Sequence, residues 1–521
     1  MGERLFLETR FAQYFFAQAQ GNANYQLLSG DPVMNASVTA GLPLPGPFAG
    51  QSMNCRACHL VDEFSGSAGN RTYDDFAPRS PIPARSADLL TQTPRNSPPL
   101  VSAARPINGH VLLHLDGQFS TMQELVGETL TGRNYGWLPQ EKTTAIRHIA
   151  NIIRNDDGTG NLAQTKSAGL SYSVMLKGKS ALIWPRILLP PEYRFNVATA
   201  SDETVFKNIS KLIAIYVRSL QFGKDAKNQF NASPYDVFLA KNGLPRTPAH
   251  LLPGLLESDI AYSRRLLRLL DKLTDPQWVT GTDGQFSTHD QAFEFGPDEL
   301  AGLKIFLTEP PAGKAAPPAN GAGNCIHCHR APSFTDFNFH NTGVAQEEYD
   351  AIFGTGAFAA LPIPTLTERR KNYNAWLPAT SRHPTALGIY RAVPSAASPG
   401  QTDLGVWNVL SNPDMPSPQI RLRQQLAVQG GNNSAPAMLE RAVARFKTPS
   451  LRDLGHGDPY LHNGSKGTIE DVLHFYIDQS ELARQGGMRN PDPEMLRVHL
   501  DSTDIAPLAA FLRALNEDYS E

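Results

Sequence analysis

Apolar residues recur with a helical period in several stretches of the chain. In residues 143–154 they fall at 145, 149, 152 and 153, and in residues 203–220 they fall at 205, 206, 209, 212, 213, 216, 217 and 220. Spacings of three and four residues place such positions on one face of an α-helix. The pattern predicts core-facing helices at both stretches, and further helices at 2–18, 252–273 and 298–307.

Turn-forming residues separate these stretches. The chain holds 41 Gly and 41 Pro in 521 residues, and segments rich in them lie at 41–52, 61–110, 156–202 and 310–323. Because Pro and Gly interrupt regular structure, we predict long irregular connections between the helices. A boundary between two parts of the chain is predicted near residue 200.

Charge and hydropathy exclude two classes of partner. The net charge of −3 provides no basic surface for nucleic acid. No window approaches the eighteen or more apolar residues that a transmembrane helix requires. We therefore expect neither a nucleic acid partner nor a membrane span.

All 4 cysteines lie in two copies of one short pattern, at 54–59 (NCRACH) and 324–329 (NCIHCH). Two thiols three positions apart can each form a thioether to one vinyl group of a porphyrin, and the adjacent His then faces the iron. The sequence thus predicts two covalent haems, bound by Cys55 and Cys58 and by Cys325 and Cys328. The proximal ligands are His59 and His329.

Two other uses of paired cysteines were weighed. Zinc ribbons also contain Cys-x-x-Cys pairs, but about 270 residues separate these two pairs and each carries its own His. A thioredoxin-like dithiol follows a strand and opens a helix, and neither motif has that context. Haem is the favoured interpretation.

The region after the first motif points to an iron with an open coordination position. No His occurs between His59 and His110, so this segment offers no imidazole for the far side of the iron. An open iron is typical of chemistry rather than of pure electron transfer.

Covalent haem attachment also predicts a location. It takes place outside the cytoplasm, yet residues 1–4 (MGER) lack the basic and apolar regions of a signal peptide. We expect a periplasmic protein whose signal peptide has been removed.

Residues 334–343 (FTDFNFHNTG) resemble the segment after the second haem of bacterial dihaem cytochrome c peroxidases and MauG-type enzymes. Further similar blocks occur in the family's order, at 2–6 (GERLF), 95–100 (RNSPPL), 116–117 (DG), 446–452 (FKTPSLR) and 459–464 (PYLHNG). They span nearly the whole chain. The stretches 240–292 and 345–400 resemble insertions.

The resemblance implies a mostly α fold with two cytochrome-c-like haem lobes, long loops and insertions. Residues 1–200 are expected to surround the first, catalytic haem with the open site. Residues 201–490 are expected to surround a second haem for electron storage or transfer. The tail at 491–521 is expected to pack back on the first lobe.

The resemblance also implies a structural calcium ion between the lobes. Its ligands by position are the side-chain oxygen of Asn96 and the carbonyls of Gly457 and Pro459. Oxygen donors suit a hard cation. The alternative for Asn96 is a structural loop asparagine.

The sixth ligand of the second iron distinguishes branches of the family. Fourteen residues after His462, peroxidases carry Met and MauG-type enzymes carry Tyr, and this chain has Tyr476. A helix cap at 468–471 places Ile469, Leu473 and Tyr476 on one face. Without the resemblance, an inward Tyr on an apolar face is an ordinary core residue. A hard phenolate favours high oxidation states of iron, whereas a soft thioether raises its potential.

The general base for peroxide is harder to assign. A carboxylate close to the iron must take and return the proton. Glu128 is the first candidate, Glu124 the second and His114 the third. The family's Trp between the haems is Leu115 here, so the usual electron route is in question.

Together these features predict a peroxide-dependent dihaem oxidoreductase. Hydrogen peroxide reacts at the first haem, and the Tyr476-ligated second haem shares the oxidising equivalents that oxidise a protein or redox donor. One alternative is a conventional peroxidase that draws electrons from a small cytochrome or cupredoxin. Another is a non-enzymatic electron carrier or haem sensor with both irons six-coordinate.

Overall fold

The computed structural model describes residues 1–31, 52–59, 79–102, 111–178, 188–252, 255–287, 289–311, 321–428 and 430–518. Much of the predicted irregular segments at 41–52, 61–110 and 310–323 lies outside these residues, as do residues 179–187 of the predicted connection at 156–202.

The described chain is mostly helical, as predicted. Its α-helices are α1 (Gly2–Phe6), α2 (Gln13–Ala19), α3 (Met122–Leu130), α4 (Lys142–Asn155), α5 (Asn161–Ser167), α6 (Tyr172–Lys177), α7 (Asp202–Ser219), α8 (Pro234–Lys241), α9 (Asp259–Leu270), α10 (Pro297–Leu307), α11 (Val344–Phe353), α12 (Ala357–Ala360), α13 (Leu366–Lys371), α14 (Tyr373–Trp376), α15 (Gln419–Val428), α16 (Ala435–Arg441), α17 (Ile469–Arg484) and α18 (Ile505–Arg513). Among these helices, none combines the length and the apolar character that crossing a membrane requires.

Two short antiparallel strand pairs complete the regular structure. Strand β1 (His250–Leu252) pairs with β2 (Leu255–Leu256). Strand β3 (Phe339–His340) pairs with β4 (Phe446–Lys447), so that Phe339 lies opposite Lys447 and His340 opposite Phe446. The second pair joins the segment after the second cysteine motif to the block at 446–452.

Helices α4, α7 and α10 confirm the predictions for 143–154, 203–220 and 298–307. The other two predictions were partly wrong. The stretch 2–18 forms two helices, α1 and α2, and the stretch 252–273 contributes the shorter α9 after the β1–β2 hairpin. A Pro-Gly pair at 253–254 explains the second difference, because this dipeptide breaks a helix and favours a turn.

Side-chain caps define where several helices begin. Ser201 accepts a hydrogen bond from the backbone N–H of Thr204 at the start of α7. At α17, Thr468 and Asp471 form a reciprocal capping box, which confirms the cap predicted at 468–471. Such caps satisfy backbone N–H groups that the first turn leaves without partners.

Buried apolar residues of the described chain form three large clusters. The first core includes Phe6, Cys58, Ile149, Ile209 and Phe230 and extends over α1 to α4 and α7. The second core joins α8, α9, α10, α18 and the motif at 324–329. The third core lies within residues 339–446 together with Leu112.

The first core corrects the predicted boundary near residue 200. Helix α7 was assigned to the second part of the chain, yet its residues Val205, Ile209 and Ile213 are buried in the first core. Phe230 belongs to the same cluster. The change of core therefore falls between Phe230 and Tyr235, the first residue of the second core.

In the described part of the C-terminal tail, which ends at residue 518, helix α18 lies in the second core rather than the first. The apolar face of α18, with Leu508, Phe511 and Leu512, is buried in the second core against α10. The Phe511 ring makes edge contacts with Phe306 at 5.2 Å and Phe334 at 5.9 Å between centroids. The prediction that 491–521 packs on the first lobe was wrong, because this apolar stripe finds its partner surface on α10.

A buried ion network holds the N-terminal residues in the first core. Arg4 pairs with Asp156 at 2.7 Å, and Arg10 pairs with the same carboxylate at 3.0 Å. The Tyr172 hydroxyl donates to Glu8 at 2.8 Å. Burial alone raises the pKa of Glu8, but the adjacent Arg10 outweighs it and lowers that pKa to about 2. The carboxylate therefore stays ionised inside the protein.

The close approach of α18 to α10 generates a stability prediction. A Cβ added at Gly302 on α10 would lie 1.9 Å from the Pro507 carbonyl oxygen. Because backbone atoms cannot yield easily, Gly302→Ala is expected to destabilise the protein by about 1–3 kcal/mol, the usual range for overpacking. Scanning calorimetry of the haem-loaded protein measures the change.

Gly127 on α3 provides a matched control for this substitution. A Cβ there meets the Phe206 ring at 3.4 Å, an ordinary contact, and alanine favours helix over glycine. Gly127→Ala is expected to be neutral or stabilising. Equal melting temperatures for Gly302→Ala and the wild type would contradict the packing of α18 on α10.

Candidate haem and calcium sites

The first cysteine motif folds into a single tight turn. Residues Cys55–Ala57 form a 3-10 helix that Asn54 caps, its side-chain oxygen accepting from the N–H of Ala57 at 2.9 Å. The Asn54 amide donates to the Leu7 carbonyl at 3.1 Å. These bonds fix the turn against the N-terminal segment, with both thiols and His59 beside one cavity.

The cavity, part of which is open to solvent, measures about 560 Å³. Helices α3 and α7 supply most of its other walls, so the space lies between the motif and the first core. Its lining residues are Phe6, Met53, Asn54, Cys55, Cys58, His59, Leu100, Met122, Leu125, Val126, Thr129, Leu130, Asn134, Tyr135, Ile213 and Val217. A mostly apolar space with two thiols and one imidazole at its edge fits a porphyrin.

His59 is oriented as an iron ligand. Its Nδ1–H donates to the Pro98 carbonyl at 3.0 Å, which leaves Nε2 available. Burial lowers the pKa of His59 and favours the neutral ring, which is the form that binds metal. A hydrogen bond from the second ring nitrogen is the usual way in which proteins orient such a ligand.

The second motif repeats this arrangement in the second core. Residues Cys325–His327 form a 3-10 helix, and His329 Nδ1 donates to the Phe334 carbonyl at 3.0 Å. Burial lowers the pKa of His329 to about 4. Both motifs therefore present a neutral imidazole whose Nε2 is available for iron.

The thiol pKa values and the locations of the two motifs argue against a redox-active dithiol and against a zinc ribbon. Burial raises the pKa of Cys55 to about 11 and that of Cys325 to about 12. A redox-active dithiol requires a lowered pKa, because the thiolate is the nucleophile. The two motifs also contribute to different cores, so they do not form one zinc ribbon.

Tyr476 lies on α17 beside the second motif. Burial raises the pKa of its phenol, and the nearby side chains of Cys328 and Cys325 raise it further. Among the described residues, none makes a hydrogen bond with its hydroxyl. Tyr476 packs against the small apolar cluster of Ala483, Met488 and Met495. A half-buried phenol for which the described residues provide no hydrogen bond, close to the haem-attachment cysteines, fits an axial ligand.

Two of the three predicted calcium ligands, Asn96 and Pro459, are in contact. The Asn96 amide lies against the Pro459 carbonyl, with Nδ2 at 2.5 Å from the oxygen, while Asn96 Oδ1 is buried without a hydrogen bond. Gly457 follows the 3-10 helix Leu454–His456 in the same turn. Rotation of the Asn96 side-chain amide by half a turn would exchange Nδ2 and Oδ1 and place Oδ1 beside the Pro459 carbonyl. The orphaned oxygen and adjacent carbonyls fit a calcium ion.

The two glutamates predicted as general base do not line the cavity. Glu128 is exposed and pairs with Lys142 of α4. Glu124 is exposed and accepts a hydrogen bond from Ser417 at 3.1 Å. The apolar face of α3 turns Leu125 and Val126 toward the cavity and thereby directs these carboxylates to solvent. This placement argues against both residues as the proton acceptor.

His114 lies outside the cavity lining as well. Its ring packs edge-on against Phe119 at 4.8 Å between centroids. Burial lowers the pKa of His114 to about 3, although neighbouring Asp116 opposes this shift. The backbone of Leu115, which replaces the family's Trp, accepts a hydrogen bond from Lys447 of β4 at 2.7 Å.

The sequence analysis missed the polar side chains that do line the cavity. Thr129, Asn134 and Tyr135 are among them, and the Tyr135 hydroxyl lies 3.1 Å from Cys55 Sγ. Thr129 follows Leu125 by four residues on α3, a spacing that could have identified it.

It also missed the role of Arg95. Its guanidinium pairs with Asp403 at 2.6 Å and with Asp116 at 2.8 Å, and both carboxylates are buried. Arg391 contacts Asp116 at 3.1 Å. This network joins the loop before Asn96 to the third core.

Sequence relatives match parts of the chain. Cytochrome-c peroxidase IdrP2 of Denitromonas iodatirespirans is 27% identical over 196 residues, which are 38% of this chain and 37% of the relative. Methylamine utilization protein MauG of Methylorubrum extorquens is 35% identical over 91 residues, 17% of this chain and 24% of the relative. The chain thus spans well under half of the length of these relatives. No protein-family model matches the chain.

Solved structures give more extended but more distant matches. The diheme peroxidase BthA of Burkholderia thailandensis aligns over 99% of this chain and 85% of its own, with 15% identity and a TM-score of 0.44. A MauG-like protein associated with microbial copper homeostasis aligns with 14% identity and a TM-score of 0.39. In these partial matches the chain is similar in sequence to dihaem cytochrome-c peroxidases and to MauG proteins.

Proposed function

We propose that the protein is a periplasmic dihaem c-type oxidoreductase that reacts with hydrogen peroxide at its first haem. His329 and Tyr476 would hold a second haem, which would supply storage of oxidising equivalents for the oxidation of a protein or redox donor. The observation that carries this proposal is Tyr476, a half-buried phenol close to Cys325 and Cys328 and without a hydrogen bond among the described residues. Bound haem supplies the redox chemistry with peroxide.

The residues around the first motif would hold the haem in a mostly apolar space. Cys55 and Cys58 provide the thioether bonds, and His59 binds the iron through Nε2 because Pro98 occupies Nδ1. The apolar walls from α3 and α7 lower the local dielectric and strengthen every polar contact inside.

Neutral side chains that line this cavity would move the proton of hydrogen peroxide. Among the described residues that line it, there is no carboxylate. Thr129, Asn134 and Tyr135 are the polar groups that can orient peroxide and relay its proton by hydrogen bonding. We therefore transfer the role predicted for Glu128 to this group, with water as the final acceptor.

The residues around the second motif select the oxidation state of the iron. Phenolate is a hard anionic ligand, and its negative charge stabilises higher oxidation states, whereas a thioether stabilises the reduced state. Phenol gives up its proton on binding ferric iron, which offsets the raised pKa that burial imposes on Tyr476. This haem would therefore store an oxidising equivalent.

A conventional peroxidase is the second candidate function. The specific observation in its favour is that relatives matching 38% of this chain are named cytochrome-c peroxidases. In that case a small cytochrome or cupredoxin would deliver electrons to the second haem. The two functions differ in the state of the enzyme that reacts with peroxide, and Tyr476 variants separate them.

The calcium site gives a prediction of metal content. Asn96→Ala removes the amide oxygen that is buried without a hydrogen bond. Bound calcium, measured by atomic emission after dialysis, is expected to fall from one per chain to none, and the haem spectra are expected to change. Wild-type protein treated with a calcium chelator should show the same spectra and recover when calcium is restored.

Asn22 is a suitable control for this substitution, because it is exposed and lies outside the site. Asn22→Ala should retain calcium and leave the haem spectra unaltered. Calcium retained in Asn96→Ala would show that Asn96 is a structural loop residue.

The cavity gives a prediction of proton-transfer residues. Glu128 is exposed and paired with Lys142, so Glu128→Gln should leave the rate of the peroxide reaction within about twofold. Loss of a positioned acid or base usually costs about 10²–10⁴ in rate. We expect losses approaching that range for a Thr129→Val/Asn134→Ala double variant, measured by stopped-flow absorbance.

Ligand binding provides the control for the double variant. Carbon monoxide binding to the reduced first haem should survive, because it needs no proton transfer. A large loss of rate in Glu128→Gln, with the double variant unaffected, would return the role to the glutamate.

Tyr476 gives the prediction that decides between the two candidate functions. Wild-type protein should react with peroxide in the fully ferric form, and both haems should change their spectra together. Tyr476→Met should raise the potential of the second haem, because a soft sulfur replaces a hard oxygen. Tyr476→Phe should alter the EPR signal of that haem. Redox titration and EPR measure these changes.

Tyr390 is the matched control, since it is buried but donates to the Pro362 carbonyl at 2.8 Å in the third core. Tyr390→Phe should leave both haems unchanged. Met488 packs beside Tyr476, and a Tyr476→Phe/Met488→Leu variant prevents its sulfur from replacing the phenol. A second haem unaffected by Tyr476→Phe, or a wild type that needs prior reduction, would favour the conventional peroxidase.

A further inference from the structure

Two histidines and one aspartate form a cluster separate from both haem motifs. His289 Nε2 lies 3.0 Å from Asp453 Oδ1, and His456 Nδ1 lies 3.6 Å from the same oxygen. One potential ligand atom from each residue falls within 4.8 Å of the other two. The side chains of His289, Asp453 and His456 are only 4%, 6% and 9% exposed. Three metal-binding groups therefore converge inside the protein.

The separations match those of ligands around one small cation. With bonds of about 2.0–2.1 Å, two ligands on a tetrahedral ion lie roughly 3.3–3.4 Å apart, and neighbouring ligands on an octahedral ion about 3.0 Å apart. The observed 3.0 and 3.6 Å lie around these values. A small shift of the side chains would centre an ion between them.

The buried negative charge of Asp453 also favours a bound cation. Among the described residues, the ion pairs of this buried carboxylate are those with the two imidazoles. Both ring nitrogens lie close to its Oδ1, at 3.0 Å and 3.6 Å. A buried anionic oxygen is costly unless it is hydrogen-bonded or coordinates a metal. A cation shared with the two imidazoles would compensate this buried carboxylate.

The surrounding backbone holds the cluster in place. Asp453 has a φ of +59° at the start of the 3-10 helix Leu454–His456, and its N–H donates to the Leu515 carbonyl at 3.2 Å. The N–H of Gly455 donates to Asn516 at 2.9 Å. A Cβ at Gly455 would approach His289 Nδ1 to 2.8 Å, so glycine permits this histidine to lie against the turn.

We propose that His289, Asp453 and His456 bind one divalent first-row transition-metal cation, with Zn²⁺ as the representative ion. Imidazole and carboxylate together suit such ions, whereas calcium prefers an all-oxygen shell. The three residues leave a further coordination position for water. The ion joins His289, which lies in the stretch 240–292 that resembles an insertion, to the turn before Gly457 and Pro459. The site is thus distinct from the haems and from the calcium site.

The test is metal binding by the tag-free, haem-loaded protein. Equilibrium dialysis against a buffer with micromolar free Zn²⁺, followed by elemental analysis, should find one zinc per chain in addition to two irons. Zinc should also raise the melting temperature of the wild type, because a ligand that binds only the folded state stabilises it. Absence of bound zinc in the wild type would overturn the proposal.

Variants then assign the ligands. His289→Gln and Asp453→Asn should each weaken zinc binding at least tenfold. The control is His383→Gln, since His383 pairs with Asp414 at 2.8 Å without a second imidazole in that pair, and it should bind zinc as the wild type does. Asn96→Ala should lose calcium and keep zinc. Zinc bound equally by His289→Gln and by the wild type would overturn the assignment.

Misfolding of a variant does not confuse this result. The absorbance of both haems in each variant reports whether the protein is intact, and His456→Gln provides an independent removal of one ligand. The wild-type measurement needs no variant at all. Because zinc content is read without peroxide, its outcome is separate from that of the proposed function.

Discussion

One loop, residues 95–98, connects the first haem motif to the rest of the molecule. The Pro98 carbonyl accepts from His59 Nδ1 at 3.0 Å and so orients the proximal imidazole. Asn96 contacts the Pro459 carbonyl, and Arg95 binds two buried carboxylates, Asp116 and Asp403. This short loop therefore links the imidazole of His59, the candidate iron ligand, to the candidate calcium site and to the third core.

The two motifs share a local geometry and differ in what faces them. In each, a 3-10 turn presents the thiols and a backbone carbonyl fixes the imidazole. The first motif borders a mostly apolar cavity, whereas the half-buried phenol of Tyr476 lies beside the second. Similar attachment with different surroundings is what a division of labour between two haems requires, since the environment of an iron sets its reactivity.

Helices with strong periodicity could be predicted because their stability depends on one continuous apolar face. The bounds of α7 and the cap at Thr468 are examples. The core to which α7 belongs could not be predicted in this way, because an apolar stripe does not specify its partner. The packing of the tail helix α18 on α10 could not be predicted for the same reason. The exposure of Glu128 to solvent could not be predicted, since it depends on the orientation of the whole helix α3.

The sequence by itself determined the groups that covalent chemistry requires: two Cys-x-x-Cys-His motifs, whose spacing matches one porphyrin each whatever the fold around them. Tyr476 and Asn96 were found through short blocks that resemble a family. Only the tertiary structure brought His289 to Asp453 and His456, and only it connected Arg95 to Asp403. These contacts join residues 164 and 308 positions apart, and such distant pairs form only when the cores around them pack.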